Sequence, residues 1–82
     1  MYLAKITIIL RKSILDTQGK AVHHALTSLQ MNLVEEVRIG KFIEMKINTG
    51  NKEEAVRITN EACKKLLANP VMEDFSFTVE KI

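Results

Sequence analysis

Between Tyr2 and Arg11 every even position is apolar (Tyr2, Ala4, Ile6, Ile8, Leu10), while the odd positions Leu3, Lys5, Thr7, Ile9 and Arg11 are mixed. A period of two in β-branched residues predicts a strand with one face in a core. From Gln18 to about Gln30 the period lengthens: Val22, Ala25, Leu26 and Leu29 share one helical face, flanked by Ala21, and His23, Thr27 and Gln30 point away. Asp16 is the natural N-cap of this first helix. Val37 and Ile39 then alternate with Glu36, Arg38 and Gly40, and Ile43, Met45 and Ile47 alternate with Phe42, Glu44 and Lys46. This pattern predicts two half-buried strands joined by a hairpin at Gly40-Lys41. Asn51 caps a second helix with Glu53 and Glu54 in its first turn. Its stripe is Ala55, Thr59, Ala62, Cys63 and Leu66, flanked by Val56, Ile58 and Leu67. Asn69-Pro70 ends it. Phe75, Phe77 and Val79, alternating with Ser76, Thr78 and Glu80, form a last strand.

The order strand, helix, strand, strand, helix, strand predicts an α+β fold of the ferredoxin-like βαββαβ kind: one domain over residues 1–82, with a four-stranded antiparallel sheet and two helices on one face. A faint repeat of apolar, apolar, acid, acid, apolar, polar, apolar at Leu33–Ile39 and Val71–Phe77 agrees with two similar halves. The other face of the sheet is then uncovered, displaying Leu3, Lys5, Thr7, Ile9, Arg38, Phe42, Glu44, Lys46, Ser76 and Thr78. A chain of 82 residues buries only about 60 to 65% of its unfolded surface. A thin core beside exposed Leu3, Ile9 and Phe42 predicts self-association, as a homodimer or larger assembly. Leu3, Lys5, Thr7, Ile9, Phe42 and Glu44 are its candidate interface.

Composition narrows the classes. Hydrophobic residues make up 46% and charged ones 27%, with no low-complexity run, so the chain should fold throughout. Twelve Lys and Arg against ten Asp and Glu are interspersed, which excludes a nucleic-acid-binding tail. Cys63 stands alone, ruling out an intramolecular disulfide and a four-cysteine zinc site. No basic leader followed by a long apolar run is present, and a cytoplasmic location is expected.

Candidate chemistry is sparse. Adjacent helical positions diverge by about 100°, so His23 and His24 cannot easily chelate one ion, and solvated histidine is the simpler reading. Cys63 lies on an apolar stripe without an activating neighbour and reads as a small core residue. Glu35, Glu36, Glu73 and Asp74 read as surface acids at strand ends. Gly19-Lys20 and Gly40-Lys41 lack the full phosphate-loop pattern; a turn explains the second pair, and Gly19, near the free amides of a helix start, is left as a weak phosphate candidate. Gly19 costs on the order of 1 kcal/mol in a first helical turn, which predicts a backbone or partner lying close to it. RNA-recognition domains stack bases on aromatics of such an open sheet, where this chain offers Phe42 alone. An RNA-binding or small-ligand regulatory module on that face is the alternative reading.

Four segments carry a family resemblance: Leu15–Val22 (LDTQGKAV), Ala25-Leu26, Val37–Glu44 (VRIGKFIE) and Leu66–Phe75 (LLANPVMEDF). In this order and spacing the chain resembles the small S subunit (PurS) family of phosphoribosylformylglycinamidine synthase nearly end to end. The resemblance implies a non-catalytic partner in a complex of de novo purine biosynthesis. That complex converts formylglycinamide ribonucleotide, glutamine and ATP to formylglycinamidine ribonucleotide, glutamate, ADP and phosphate. It also implies a homo-oligomer that contacts a glutaminase subunit and a large synthetase subunit and helps ammonia pass between them. ATP and magnesium would serve the complex, with no cofactor, metal or catalytic residue on this chain. Asp16, Gln18, Gly19, Lys20, Arg38, Gly40 and Lys41 are the candidate partner contacts, as motif positions that the core does not demand. Two departures stand out: Thr17 replaces a common proline at the helix start, and Gln30-Met31 replaces a common glycine at its end.

Overall fold

A computed structural model describes residues 1–82. The first strand is present as β1 (Tyr2–Leu10) and is the middle of a three-stranded sheet. β2 (Gly40–Ile47) runs antiparallel along one side, with Ile43 opposite Ile6 and Gly40 opposite Ile9. β3 (Glu73–Lys81) runs antiparallel along the other, with Phe77 opposite Ile6. Tyr2, Ala4, Ile6 and Ile8 are buried, as the alternation predicts.

The expected four-stranded sheet is therefore corrected to three strands in the order β2-β1-β3. The segment around Val37 and Ile39 alternates like a strand, but its polar groups turn elsewhere. The Ile39 N–H donates to Asp16 Oδ2 at 2.7 Å, and Arg38 Nη2 donates to the carbonyls of Leu10, Arg11 and Ile14. Alternation marks an extended backbone; it does not supply a neighbour to pair with. Gly40-Lys41 consequently makes no hairpin. Gly40 opens β2, and a Cβ there would collide with the carbonyl oxygen of Ile8.

The helices do not share one face either. α2 (Lys52–Ala62) packs on β1 and β3. Asn51 caps it, accepting from the N–H groups of Glu53 and Glu54 at 2.8 and 3.4 Å. Its narrow residues Ala55 and Thr59 are buried, and the Thr59 hydroxyl is satisfied by the Ala55 carbonyl at 2.8 Å. The helix ends in a π turn, Cys63–Leu67, closed by the Ala68 N–H donating to the Cys63 carbonyl at 3.0 Å. The wider turn shifts the helical phase. Leu66, expected on the buried stripe, is 82% exposed, while Cys63 and Ala68 enter the core with Ile6 and Ile8.

α1 (Thr17–Ser28) lies outside the sheet, on an excursion that leaves after Leu10 and returns at Gly40, and Gly19 is its one buried residue. Its apolar stripe faces no core: Leu29 is 66% exposed. The chain is elongated, 50 × 27 × 14 Å, with a radius of gyration of 16.3 Å where about 12 Å is usual for this length. No helix is long and apolar enough to cross a membrane.

Candidate functional site

Two surfaces carry the candidate residues. The first is the open sheet face. Odd residues of β1 and even residues of β2 and β3 point to it, so the registers align Lys46, Leu3 and Glu80 in one row, Glu44, Lys5 and Thr78 in the next, then Phe42, Thr7 and Ser76. All six expected interface residues, Leu3, Lys5, Thr7, Ile9, Phe42 and Glu44, are brought together here. Arg38, expected beside them, is not in the sheet. Phe42 is 62% exposed and Ile9 41%. Lys5 Nζ pairs with Glu80 Oε1 at 2.8 Å, and that hydrogen bond with the Glu80 charge raises the lysine pKa. Thr7, Phe42, Ser76 and Thr78 border a shallow depression of about 300 Å³.

The second surface is the base of the excursion. Asp16 is buried and caps α1, its Oδ1 accepting from the Gly19 N–H at 2.9 Å. Its other oxygen takes the Ile39 N–H, so one carboxylate ties the start of α1 to the returning chain. The bonds from Gly19 and then Ile39, reinforced by the Arg38 charge, hold its carboxyl below the usual carboxylate range. A Cβ on Gly19 would strike the Val37 carbonyl oxygen and the Asp16 carboxylate. The close backbone predicted for this glycine is thus the returning chain. Lys12, Asp16, Lys20, Glu36 and Arg38 line a cleft of about 380 Å³ at this junction.

Of the expected partner contacts, Asp16, Gly19 and Arg38 hold the excursion in place, and Gly40 gives β1 room. Gln18, Lys20 and Lys41 are exposed. Lys41 reaches Glu73 at 3.5 Å. Glu73 and Asp74 open β3, where Asp74 takes Arg11 Nε at 3.0 Å. Sequence reasoning missed Arg11, whose Nη1 and Nη2 also hold the Val71 and Pro70 carbonyls at 3.0 and 2.6 Å. It missed His23 as well, whose Nε2 lies 2.7 Å from the Val34 carbonyl and pins the returning chain to α1. Neither has a local signal, because their partners, backbone carbonyls and for Arg11 also the Asp74 carboxylate, are distant in sequence. Burial pushes the Cys63 thiol pKa up, which keeps it protonated and unreactive.

Residues 3–81 match the family model described as PurS, phosphoribosylformylglycinamidine (FGAM) synthase. Over 82 residues the chain is 45% identical to the phosphoribosylformylglycinamidine synthase subunit PurS of Bacillus subtilis, covering all of this chain and 96% of that one. The crystal structure of PurS from Methanocaldococcus jannaschii is described as one of the subunits of formylglycinamide ribonucleotide amidotransferase in the purine biosynthetic pathway. It superposes with a TM-score of 0.89 at 41% identity, covering 100% of this chain and 99% of that one. A chain in the structure of PurLQS from Thermotoga maritima superposes with a TM-score of 0.85 at 27% identity, covering 98% and 99%.

Proposed function

Starting from a chain that belongs to the PurS family of phosphoribosylformylglycinamidine synthase, we propose that it serves as the small subunit of that synthase in purine biosynthesis. In this reading it joins the glutaminase and synthetase subunits in the cytoplasm and helps ammonia pass between them. ATP and magnesium belong to the synthetase subunit. The observation that carries a subunit role is the apolar surface that the single chain leaves open, from Ile9 and Phe42 on the sheet to Leu29 on α1. Only an assembly covers it. Free ammonia in neutral water is largely protonated and no longer nucleophilic, so a docked route that excludes water preserves the reactant.

The chain also associates with itself, as a homodimer or homotetramer, through the open face bearing Leu3, Lys5, Thr7, Ile9, Phe42 and Glu44. Exposed Gln18, Lys20 and Lys41 meet the larger subunits, while Asp16, Gly19, Arg38 and Gly40 fix the geometry that presents them. The test is synthase activity of the two larger subunits with and without this chain, driven by glutamine or by added ammonia. Dependence on this chain with glutamine and independence with ammonia is the expected result. No effect on either rate would sink the reading and turn attention to RNA or small ligands on the open face.

A further inference from the structure

The cleft at the base of the excursion gathers more positive charge than the chain uses there. Lys12 and Lys20 line it as exposed side chains, Arg38 as a half-buried one, and Ser13 adds a hydroxyl. None of these three cations belongs to any of the chain's ion pairs. Asp16 and Glu36 are the acids on the same walls. Asp16 has both oxygens committed to backbone N–H groups, one to Gly19 and one to Ile39, and Glu36 is exposed and unpaired. Arg38 has a second peculiarity: three carbonyls occupy its Nη2, whereas its Nε is buried and has no acceptor in the chain. Buried donors are nearly always paired, so an orphan on a residue that lines a cleft points to an acceptor from outside the chain. Gly19 supplies no amide here, because Asp16 takes its N–H, but the lysine beside it does line the cleft.

We propose that this cleft binds a small organic oxyanion, through a phosphate or carboxylate group, with Lys12 and Lys20 as its charge partners and Arg38 as the half-buried cation beside them. The start of α1 forms one wall, so the positive end of the helix dipole adds to the field of the side chains. A volume of about 380 Å³ exceeds what one anionic group fills, and Ile14, Leu15 and Val37 give an apolar strip for the body that carries it. The hollow of about 420 Å³ beside Cys63 is the contrast. Its Arg11 and both its acids are already spent, Arg11 with Asp74 and Glu73 with Lys41. Binding in the excursion cleft needs no other subunit, and so stands apart from the synthase reading.

The test is isothermal titration calorimetry on the full chain alone, with inorganic phosphate and acetate as separate probes and sodium chloride at matched ionic strength as the control. Saturable heat with phosphate or acetate, absent with chloride, is expected, and the tighter of the two identifies the anionic group. Lys12→Gln and Lys20→Gln, each removing an exposed cation, are expected to weaken binding about threefold, and the two together about tenfold. Glu36→Gln removes an opposing charge from the same walls and should tighten binding by about threefold. Lys52→Gln, beyond the Ile47 end of β2 and away from the cleft, should change nothing. All four side chains are exposed, so these variants keep the fold. Heat that never saturates with either probe, or an affinity that the double lysine variant and Glu36→Gln leave unchanged, overturns the site and leaves the synthase reading standing.

Discussion

Asp16 spends one carboxylate on two chain segments, and its neighbour Gly19 makes that possible by having no side chain. Gly19→Ala is expected to cost about 2 kcal/mol, read from urea denaturation, because neither the Val37 carbonyl nor the capping carboxylate can yield without losing the cap. The same node sets a pH dependence. In the unfolded chain an aspartate titrates near about 3.9, and in the fold this carboxyl titrates lower. The folded state therefore binds that proton less readily than the unfolded one. Its contribution is present above about pH 4 and is lost as pH falls through the folded value. Urea midpoints at pH 6 and pH 3 should fall less steeply with acidification in Asp16→Asn than in the parent chain.

At the scale of elements, two helix ends depart from simple periodicity. α1 closes at Gln30, whose φ of 69° lies in the left-handed region. The Met31 N–H returns to the Leu26 carbonyl and the Gln30 N–H to that of Thr27, each at 3.0 Å, the pattern of a Schellman end. A glutamine adopts this conformation at a cost of order 1 kcal/mol. Gln30→Gly should recover about that much and raise the melting temperature by roughly 5 °C. α2 ends in a π turn that rotates Leu66 outward. Leu66→Gln should change stability by less than about 0.5 kcal/mol, as for an exposed site. A continuous α-helix through residue 66 would instead bury this leucine and lose about 2 kcal/mol or more in the same measurement.

Over the whole molecule, the apolar residues that reach the core are few and half of them are small: Ala4, Ala55, Cys63 and Ala68 beside Tyr2, Ile6, Ile8 and Ile47. Such a core is thin for a chain that extends 50 Å, so assembly should contribute to stability. The melting temperature is expected to rise with protein concentration in differential scanning fluorimetry. Ile9→Asp, which places a charge on the open face without touching the core, should shift the sedimentation distribution toward monomer.

The sequence by itself determined β1, α2 with its Asn51 cap, the Asp16 cap of α1 and the residues of the open face apart from Arg38. These are local matters of side-chain period and of hydrogen bonds closed within a turn. It pointed to a neighbour for Gly19 without identifying Val37. Tertiary structure alone decided the rest, because each remaining question concerned a partner distant along the chain. Ile39 spends its N–H on Asp16, so the fourth strand never pairs. α1 lies off the sheet because the chain re-enters β2 directly opposite Ile9, which leaves the helix on an excursion beyond the strand end. A period of two or of 3.6 says which side of an element is apolar, and only the packed chain says what that side faces.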